Sequence, residues 1–350
     1  MRIYHLTFTS LLIRTARCVS SCLGNDTLIP VVREDVETSG SSLLQSRQRR
    51  LSKVNISQAM IGAHDEAKHR TDLEDGIAVI VPGLGNRTRV PTVQRNIQWL
   101  KTQGVPFECW VYVYRTEKDF PLDTSTLAPC KVVRHAGFWL SHMLAWPLEK
   151  TKMRWVLHME DGTEPQSNVN LKQIFKIMVK NGLGHAAPTF DPLLETNPFC
   201  CTGIYPLLAR QETAKVGRFV DFIEFHFDVL SREYFSCLQS HIDPSGDDDM
   251  MIGWGMDKLL PALCGGAVSG SEVEAGRIGL LDQMTIRKRH FGSYTYEHGQ
   301  RGLELFLGRH LYTPMPTMQT LGELQDPSEE QDQISGESAA PVQEQDSGVY

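Results

Sequence analysis

The sequence predicts an α/β domain with a mostly parallel mixed sheet flanked by helices. Short continuous apolar runs such as Ile77–Val81 are typical of strands that are buried on both faces. Between such runs lie segments whose apolar residues recur at helical spacing, as Leu171, Ile174, Phe175 and Met178 do. Strands that alternate with helices form βαβ units, and these units favour a parallel sheet.

The elements of this domain follow one another in a regular order. Each predicted strand is an apolar or β-branched run, and glycine is expected to end the first and third helices at Gly104 and Gly182. The strands are predicted at Ile77–Val81, Phe107–Tyr114, Lys131–Val133 and Trp155–Leu157, and the helices at Val93–Leu100, Phe138–Lys150 and Leu171–Met178.

Composition divides the chain into three parts. Residues 1–72 show no sustained periodicity and contain ten basic residues, so they are interpreted as a leader and flexible stem. Residues 73–312 form the predicted domain. Residues 313–350 contain eight acids and no Lys or Arg, and they are predicted to be a disordered acidic tail.

The charge of the chain argues against nucleic acid as a partner. The formal net charge is −7, but without the eight acids of the tail the rest of the chain carries +1. A near-neutral body has no broad basic face of the kind that nucleic-acid binding needs.

The N-terminus leaves the compartment open. The apolar run Leu6–Ile13 is far shorter than the roughly 20 residues that cross a bilayer, so it gives no confident transmembrane span. It fits a weak signal peptide, which would lead to the secretory pathway or Golgi lumen, or an unstructured leader on a cytoplasmic protein.

The cysteine content does not indicate a disulfide scaffold. Eight cysteines in 350 residues is a low density for that class. Cys109 lies in a predicted strand, and Cys237 and Cys264 lie in predicted helices, so all three are expected to be thiols of the core.

Two segments that could bind a ligand follow predicted strands. Glu160–Asp161 ends the strand at Trp155–Leu157, and carboxylates at a strand end could hold a hard divalent cation, although they could also be solvated turn acids. After the first strand, Gly83 would let the backbone approach a ligand, while Arg87 and Arg89 could contact phosphate. This loop matches no known phosphate-binding motif, and an ordinary turn is the alternative.

Four further residues, in three segments, carry candidate chemistry. In the alternating run Ile223–Val229, Glu224 could bind sugar hydroxyls or act as a base, or simply lie on the polar face of a half-exposed strand. Trp254 offers an apolar platform for a sugar, and Asp257 lies in the first turn of a helix, where its charge is favourable in any case. His290 could bind a metal or phosphate, or be a surface residue after a basic run.

Taken together, these segments resemble the domain-of-unknown-function 707 family, described mainly from plants, from Ile77 to Gly292. That family looks like GT-A glycosyltransferases, which bind a nucleotide sugar and usually a divalent metal through a DxD motif. The resemblance rests on the strand ending in Glu160–Asp161, on Phe190–Pro192, on Phe222–Glu224 through Leu230–Arg232, and most specifically on Gly253–Asp257 followed by Asp282–His290.

The resemblance implies a GT-A-like, Rossmann-related domain that transfers a sugar from a nucleotide-sugar donor to a glycan or other hydroxyl acceptor. It makes Asp161, Glu160 and His290 the ligands of Mn²⁺ or Mg²⁺, and Asp257 and Glu224 the candidates for the catalytic base. Donor contacts are then expected from Gly83, Arg87, Arg89, Glu160 and Trp254.

One departure weakens the implied metal site. The family motif reads Asp-Glu-Asp, whereas this chain has Met159 at the first position, and one lost charge-assisted contact is worth roughly 1.5–3 kcal/mol. The alternatives therefore stay open: a catalytically inactive carbohydrate- or nucleotide-binding domain of the same fold, or an unrelated metal-dependent hydrolase or interaction scaffold.

Overall fold

The computed structural model describes residues 74–191, 205–244, 251–264, 277–289, 296–310, 313 and 316–328. The chain divides into two units, Met1–Lys68 and His69–Tyr350, and every described residue lies in the second. The predicted leader and stem therefore lie outside the described residues. Among the helices of the described segments, none is long and apolar enough to cross a membrane.

A ten-stranded sheet forms the centre of the described fold. Its strands are β1 (Glu74–Leu84), β2 (Phe107–Val113), β3 (Lys131–Arg134), β4 (Met153–Met159), β5 (Thr163–Pro165), β6 (Leu183–Phe190), β7 (Arg218–Val220), β8 (Phe227–Ser231), β9 (Arg277–Lys288) and β10 (Thr320–Glu323).

Helices connect and flank these strands. They are α1 (Val90–Thr102), α2 (Trp139–Ala145), α3 (Leu171–Asn181), α4 (Arg232–His241), α5 (Met256–Leu263) and α6 (Tyr296–Arg309). The helix predicted over Phe138–Lys150 is shorter than expected, because Pro147 cannot donate a backbone hydrogen bond and only a short 3₁₀ turn, Leu148–Lys150, follows it.

The order of the strands is β10-β7-β9-β6-β8-β4-β1-β2-β3, with β5 paired to β9. Strands β1, β2, β3, β4, β6, β9 and β10 run in one direction, and β5, β7 and β8 oppose them. The predicted fold class, a mostly parallel mixed sheet flanked by helices, is confirmed. The run β3-β2-β1-β4 also has the strand order of Rossmann-related sheets, in which ligands bind where that order reverses, here beside β1 and β4.

Burial explains why the sheet forms where the sequence predicts it. The side chains of Ile77–Val81 are fully buried, as expected of a central strand that helices cover on both faces. Helix α3 packs Leu171, Ile174 and Met178 against this core and ends at Gly182, whose left-handed backbone (φ 61°) favours glycine.

The strand predicted over Ile223–Val229 is only half present. Strand β8 begins at Phe227, and the preceding residues form an irregular segment. The backbone N–H of His226 donates to the Asp228 carboxylate over 2.7 Å, so it is not available for a hydrogen bond between strands. The polar side of this segment is also buried, because Asp228 is fully enclosed and His226 is 5% exposed.

The folded domain extends beyond the boundary predicted at residue 312. Strand β10 pairs with β7, and Leu324 is buried in the core. The strand has the sequence Thr-Leu-Gly-Glu, so it has no apolar run to reveal it. Residues 329–350 of the predicted tail lie outside the described residues.

The expectation of core thiols is wrong for Cys109, Cys237 and Cys264. Two disulfides join Cys109 to Cys130 and Cys237 to Cys264, with Cα–Cα distances of 4.4 Å and 5.9 Å. The first links β2 to the residue before β3, and the second links α4 to the end of α5. Each pair is separated by more than 20 residues in the chain, so local sequence could not reveal it.

Candidate functional site

Charged side chains gather at the carboxyl ends of β1 and β4, where the strand order reverses. The loop after β1 carries Gly83 and Arg89, and Glu160 and Asp161 follow directly after β4. Parallel strands end at the same edge of a sheet, so these two segments meet there as the sequence predicts.

Asp161 forms a buried ion pair with Arg89. Arg89 Nη1 donates to Asp161 Oδ1 over 2.7 Å, and Asp161 is 4% exposed. Burial raises the pKa of the Asp161 carboxyl above its ordinary range, and the Arg89 guanidinium limits that rise. Asp161 Oδ2 is buried and has no hydrogen-bond partner among the described residues, so it could accept a bond from a ligand.

Glu160 is held by two cationic side chains. His226 Nδ1 lies 2.8 Å from Glu160 Oε2, and Lys288 Nζ bonds the same carboxylate oxygen. Burial opposes the charge of Glu160, but Lys288 and His226 outweigh it and hold the pKa of Glu160 well below its usual range. Glu160 is therefore ionised at neutral pH, and its Oε2 is paired with His226 and Lys288.

His226 connects Glu160 to the second group of predicted acids. Its Nε2 lies 3.0 Å from Glu224 Oε2, so the imidazole bridges two carboxylates. Burial and Lys288 disfavour the imidazolium, yet Glu224 and Glu160 outweigh them and raise the pKa of His226 to about 9. The ring therefore carries a positive charge at neutral pH.

Asp257 is the other predicted acid of this group. It lies in the first turn of α5, where it accepts a hydrogen bond from the Lys258 backbone N–H over 3.0 Å. Burial and the negative charge of Glu224 raise the pKa of Asp257 to about 7. A carboxyl that titrates near neutral pH can exchange a proton with a substrate.

A buried network fixes the position of His226. Asp228 accepts from the His226 backbone N–H, and also from His158 Nδ1 over 3.2 Å and His185 Nε2 over 2.8 Å. His158 Nε2 accepts from the Trp139 indole over 2.6 Å, so the proton of this ring must lie on Nδ1. Burial opposes the charge of Asp228, but the hydrogen bonds from His158 and His185 outweigh it and hold the pKa of Asp228 below its usual range.

A second acid fixes the other side of the site. Glu164 of β5 is bonded by Arg95 of α1 and by Arg289, which follows β9. The side chain of Asn96 also donates to the Thr163 carbonyl over 2.7 Å. These contacts join α1, β5 and β9. Glu164 therefore helps to fix the end of β9, where Lys288 lies.

The other predicted site residues, Gly83, Arg87, Trp254 and His290, differ in their exposure and surroundings. Gly83 has a left-handed backbone (φ 81°), and a Cβ added there would meet nothing within 4 Å, so a ligand can approach it. Arg87 is exposed, unlike Arg89. The ring of Trp254 packs against Gly299 of α6. His290 lies outside the described residues.

The predicted divalent-metal site is not assembled by the described residues. Met159 is fully buried in the core, Glu160 is paired with two cations, and Asp161 shares one oxygen with Arg89. A hard divalent cation needs several oxygen ligands. Among the described residues, two buried carboxylate oxygens accept no hydrogen bond, Asp161 Oδ2 and Glu224 Oε2, and the second already lies 3.0 Å from His226 Nε2. Use of a metal by Asp161, Glu160 and His290 stays a prediction.

Sequence reasoning missed two central residues. Lys288 belongs to the basic run that precedes His290, and His226 belongs to the alternating run Ile223–Val229, but neither is among the predicted site residues. The signal for His226 was a histidine between acids in an otherwise apolar segment. Lys288 reaches Glu160 because β5 pairs with β9, with Thr163 opposite Lys288.

Comparison with known proteins finds solved structures that are distantly similar. No family model and no curated protein matches the chain. Among solved structures, it is similar to S. aureus TarS residues 1–349 in complex with UDP-GlcNAc, with 13% identity, a TM-score of 0.42, and coverage of 68% of this chain and 67% of that one. A second structure of TarS 1–349 gives 12% identity, a TM-score of 0.36 and coverage of 67% and 72%.

The chain is also similar to GalNAc-T7 with UDP, GalNAc and Mn²⁺, with 11% identity and a TM-score of 0.42. The match covers 62% of this chain but 44% of GalNAc-T7. Likeness at this level says nothing about substrate, so the function must rest on the residues of the site itself.

Proposed function

We propose that the chain is a GT-A-type glycosyltransferase that transfers a sugar from a nucleotide-sugar donor to a hydroxyl group of an acceptor. One observation carries the proposal: a series of charged side chains, joined by ion pairs or acting on one another electrostatically, extends from the point where the strand order reverses to an acid whose pKa is raised to about 7. The series consists of Arg89, Asp161, Lys288, Glu160, His226, Glu224 and Asp257.

The donor end of this series suits a nucleoside diphosphate. A diphosphate is anionic, and Arg89 and Lys288 are cations at the carboxyl edge of the sheet. Asp161 Oδ2 could accept a hydrogen bond from a sugar or ribose hydroxyl. Gly83 leaves the space that a close approach to the backbone requires.

The acceptor end suits general base catalysis. Asp257, with its pKa near 7, is a stronger base than an ordinary aspartate and is partly unprotonated at neutral pH. In an inverting transfer it takes the proton of the acceptor hydroxyl as that oxygen bonds to the anomeric carbon. The bond from that carbon to the phosphate oxygen breaks, and the nucleoside diphosphate leaves with the electron pair.

Glu224 and His226 lie beside this base. His226 Nε2 lies 3.0 Å from Glu224 Oε2, and the negative charge of Glu224 adds to burial in raising the pKa of Asp257.

Nucleotide binding to the full chain tests the proposal. Thermal unfolding is measured with UDP, GDP and CMP, each with and without Mn²⁺, for the wild type, for Asp161→Asn and for the exposed control Asp75→Asn. A nucleotide-selective rise in Tm that Asp161→Asn removes and Asp75→Asn keeps supports the donor site. A rise that needs Mn²⁺ supports the metal ligands. No rise with any nucleotide overturns the proposal.

A second candidate is a carbohydrate- or nucleotide-binding domain without catalytic activity. The burial of Met159 and the full pairing of Glu160 favour it, because both remove ligands from the predicted metal site. This candidate predicts the same rise in Tm but no release of nucleoside diphosphate from any nucleotide sugar, alone or with a panel of hydroxyl acceptors.

For the compartment, we propose the lumen of the secretory pathway. The two disulfides support an oxidising environment. Fusion of the first 30 residues to a fluorescent protein tests it, and a cytoplasmic signal would contradict it.

A further inference from the structure

A second group of potential ligand atoms lies away from the charged series, where three helices end. Cys237 and His241 are four residues apart on α4 and so share one face of that helix. Cys264 follows the last residue of α5. One ligand atom from each of these residues lies within 4.8 Å of the others, and within the described ranges they are the one such group of three.

A second histidine adjoins this group. His310 follows α6, and its ring centroid lies 5.7 Å from that of His241. Two imidazoles bound to one tetrahedral zinc ion, at Zn–N distances of 2.0–2.1 Å, would have centroids roughly 5 Å apart. The two rings are therefore close to the spacing that a shared ion imposes.

His310 has an unused ligand atom. Its Nε2 is buried and has no hydrogen-bond partner among the described residues. An ion pair between Arg309 and Asp243, 2.7 Å long, holds the ends of α6 and α4 together beside these rings.

We propose that Cys237, His241, Cys264 and His310 form a zinc site when the Cys237–Cys264 disulfide is reduced. The position then has two alternative cross-links, a disulfide or a Cys₂His₂ zinc ion, and either one joins α4 to α5. The zinc form also includes α6, which the disulfide does not reach. This inference does not depend on the proposed transferase activity.

The chemistry of the exchange balances. A phosphine reductant and water convert the disulfide into two thiols, and the phosphine becomes its oxide. Zn²⁺ then displaces the two thiol protons, which are released, and binds the two thiolates and the two neutral imidazoles. Binding is therefore expected to weaken as the pH falls and the thiolates and imidazoles are protonated.

Metal titration of the full chain tests the proposal. The protein is reduced with a phosphine, freed of metal with a chelator and titrated with Zn²⁺, and the bound metal is measured after gel filtration. Co²⁺ is used in parallel, because a tetrahedral thiolate site gives intense visible absorption and sulfur-to-metal charge-transfer bands. The expected result is one equivalent of metal at this site, with the spectrum of a two-thiolate, two-imidazole complex.

Matched variants locate the metal. Cys237→Ser with Cys264→Ser should lose one equivalent and the Co²⁺ spectrum, and His310→Ala should weaken binding by tenfold or more. Two controls should change nothing: His298→Ala, an exposed histidine on the same helix, and Cys18→Ser with Cys22→Ser, a pair outside the described residues.

Folding is checked by circular dichroism, and His241→Ala gives a second test if the cysteine variant does not fold. The proposal is overturned if the reduced protein binds no Zn²⁺, or if the Co²⁺ spectrum survives in both histidine variants. In either case we would conclude that Cys237 and Cys264 form a disulfide and have no zinc-bound form.

Discussion

His226 and Glu160 are joined by a buried contact of 2.8 Å between Nδ1 and Oε2, although 66 residues separate them in the chain. The same imidazole reaches Glu224 through its other nitrogen at 3.0 Å. A single protonated ring therefore connects the acid that follows β4 to the acid that precedes β8. The protonation state of His226 therefore affects its contacts with both Glu160 and Glu224.

The first prediction concerns pH and stability. The pKa of His226 is about 9 in the folded protein and about 6.5 when the chain is unfolded. Because the folded value is raised, this residue contributes its full stabilisation below pH 6.5 and loses it as the pH rises through 9. Urea unfolding between these limits should show a loss on the order of 3 kcal/mol for the wild type.

The variant His226→Gln should lose this pH dependence, because glutamine does not titrate. The exposed His298→Gln serves as the control and should keep the wild-type slope. An equal slope in His226→Gln and wild type would show that another group causes the effect.

The second prediction separates stability from activity at Asp257. The raised pKa of this acid means that its ionisation costs stability, and the cost appears as the pH rises from about 4 through 7. Asp257→Asn should therefore raise the free energy of unfolding at pH 8 by about 1–2 kcal/mol, allowing for its partial exposure, and change little at pH 4.

Transfer by the same variant should fall by roughly 10²–10⁴-fold, because asparagine cannot take a proton. Release of nucleoside diphosphate with acceptor present measures it. Full activity in a stabilised Asp257→Asn protein would leave Glu224 as the candidate base.

The third prediction distinguishes two arginines of one loop. Arg89 is paired with buried Asp161, whereas Arg87 is exposed. Arg89→Gln removes the proposed charge-assisted contact with the diphosphate of the nucleotide. Such a contact is worth roughly 1.5–3 kcal/mol, so the Kd for the nucleotide should rise tenfold or more. Arg87→Gln is the matched change and should have a smaller effect. Calorimetric titration with the nucleotide that stabilises the wild type compares them, and equal losses would contradict the assignment.

The position of the site was predictable from sequence because it depends on one simple rule. Apolar runs reveal β1 and β4, and parallel strands must present their carboxyl ends at the same edge. Arg89 and Asp161 come close because β1 and β4 are also neighbours in the sheet, and that pairing is a finding of the structure.

The partners of these residues were not predictable, because they depend on pairing between distant strands. Lys288 reaches Glu160 through the register of β5 against β9, and no local pattern encodes that register. His226 leaves the expected strand because Asp228 captures its backbone N–H. Both contacts arise from polar groups in the interior, where alternation of apolar and polar residues carries no information about partners.

The last prediction concerns the missing carboxylate of the motif. Met159 lies on β4 opposite Phe227 and is fully buried, so an acid at this position would enter the core. Met159→Asp should therefore not create a metal site. It should instead lower the free energy of unfolding by about 3–5 kcal/mol, the range found when an uncompensated charge is left buried.

The control is Met159→Leu, which keeps the volume and should cost less than about 1.5 kcal/mol. Urea unfolding measures both changes, and the effect of Mn²⁺ on Tm measures metal binding. A stable Met159→Asp protein that gains a Mn²⁺-dependent rise in Tm would show that β4 can turn this side chain outward. In that case the fold accepts an acid at position 159, and the site lacks this carboxylate only because the residue there is methionine. An unstable variant means instead that the packing of β4 against β8 excludes an acid at this position.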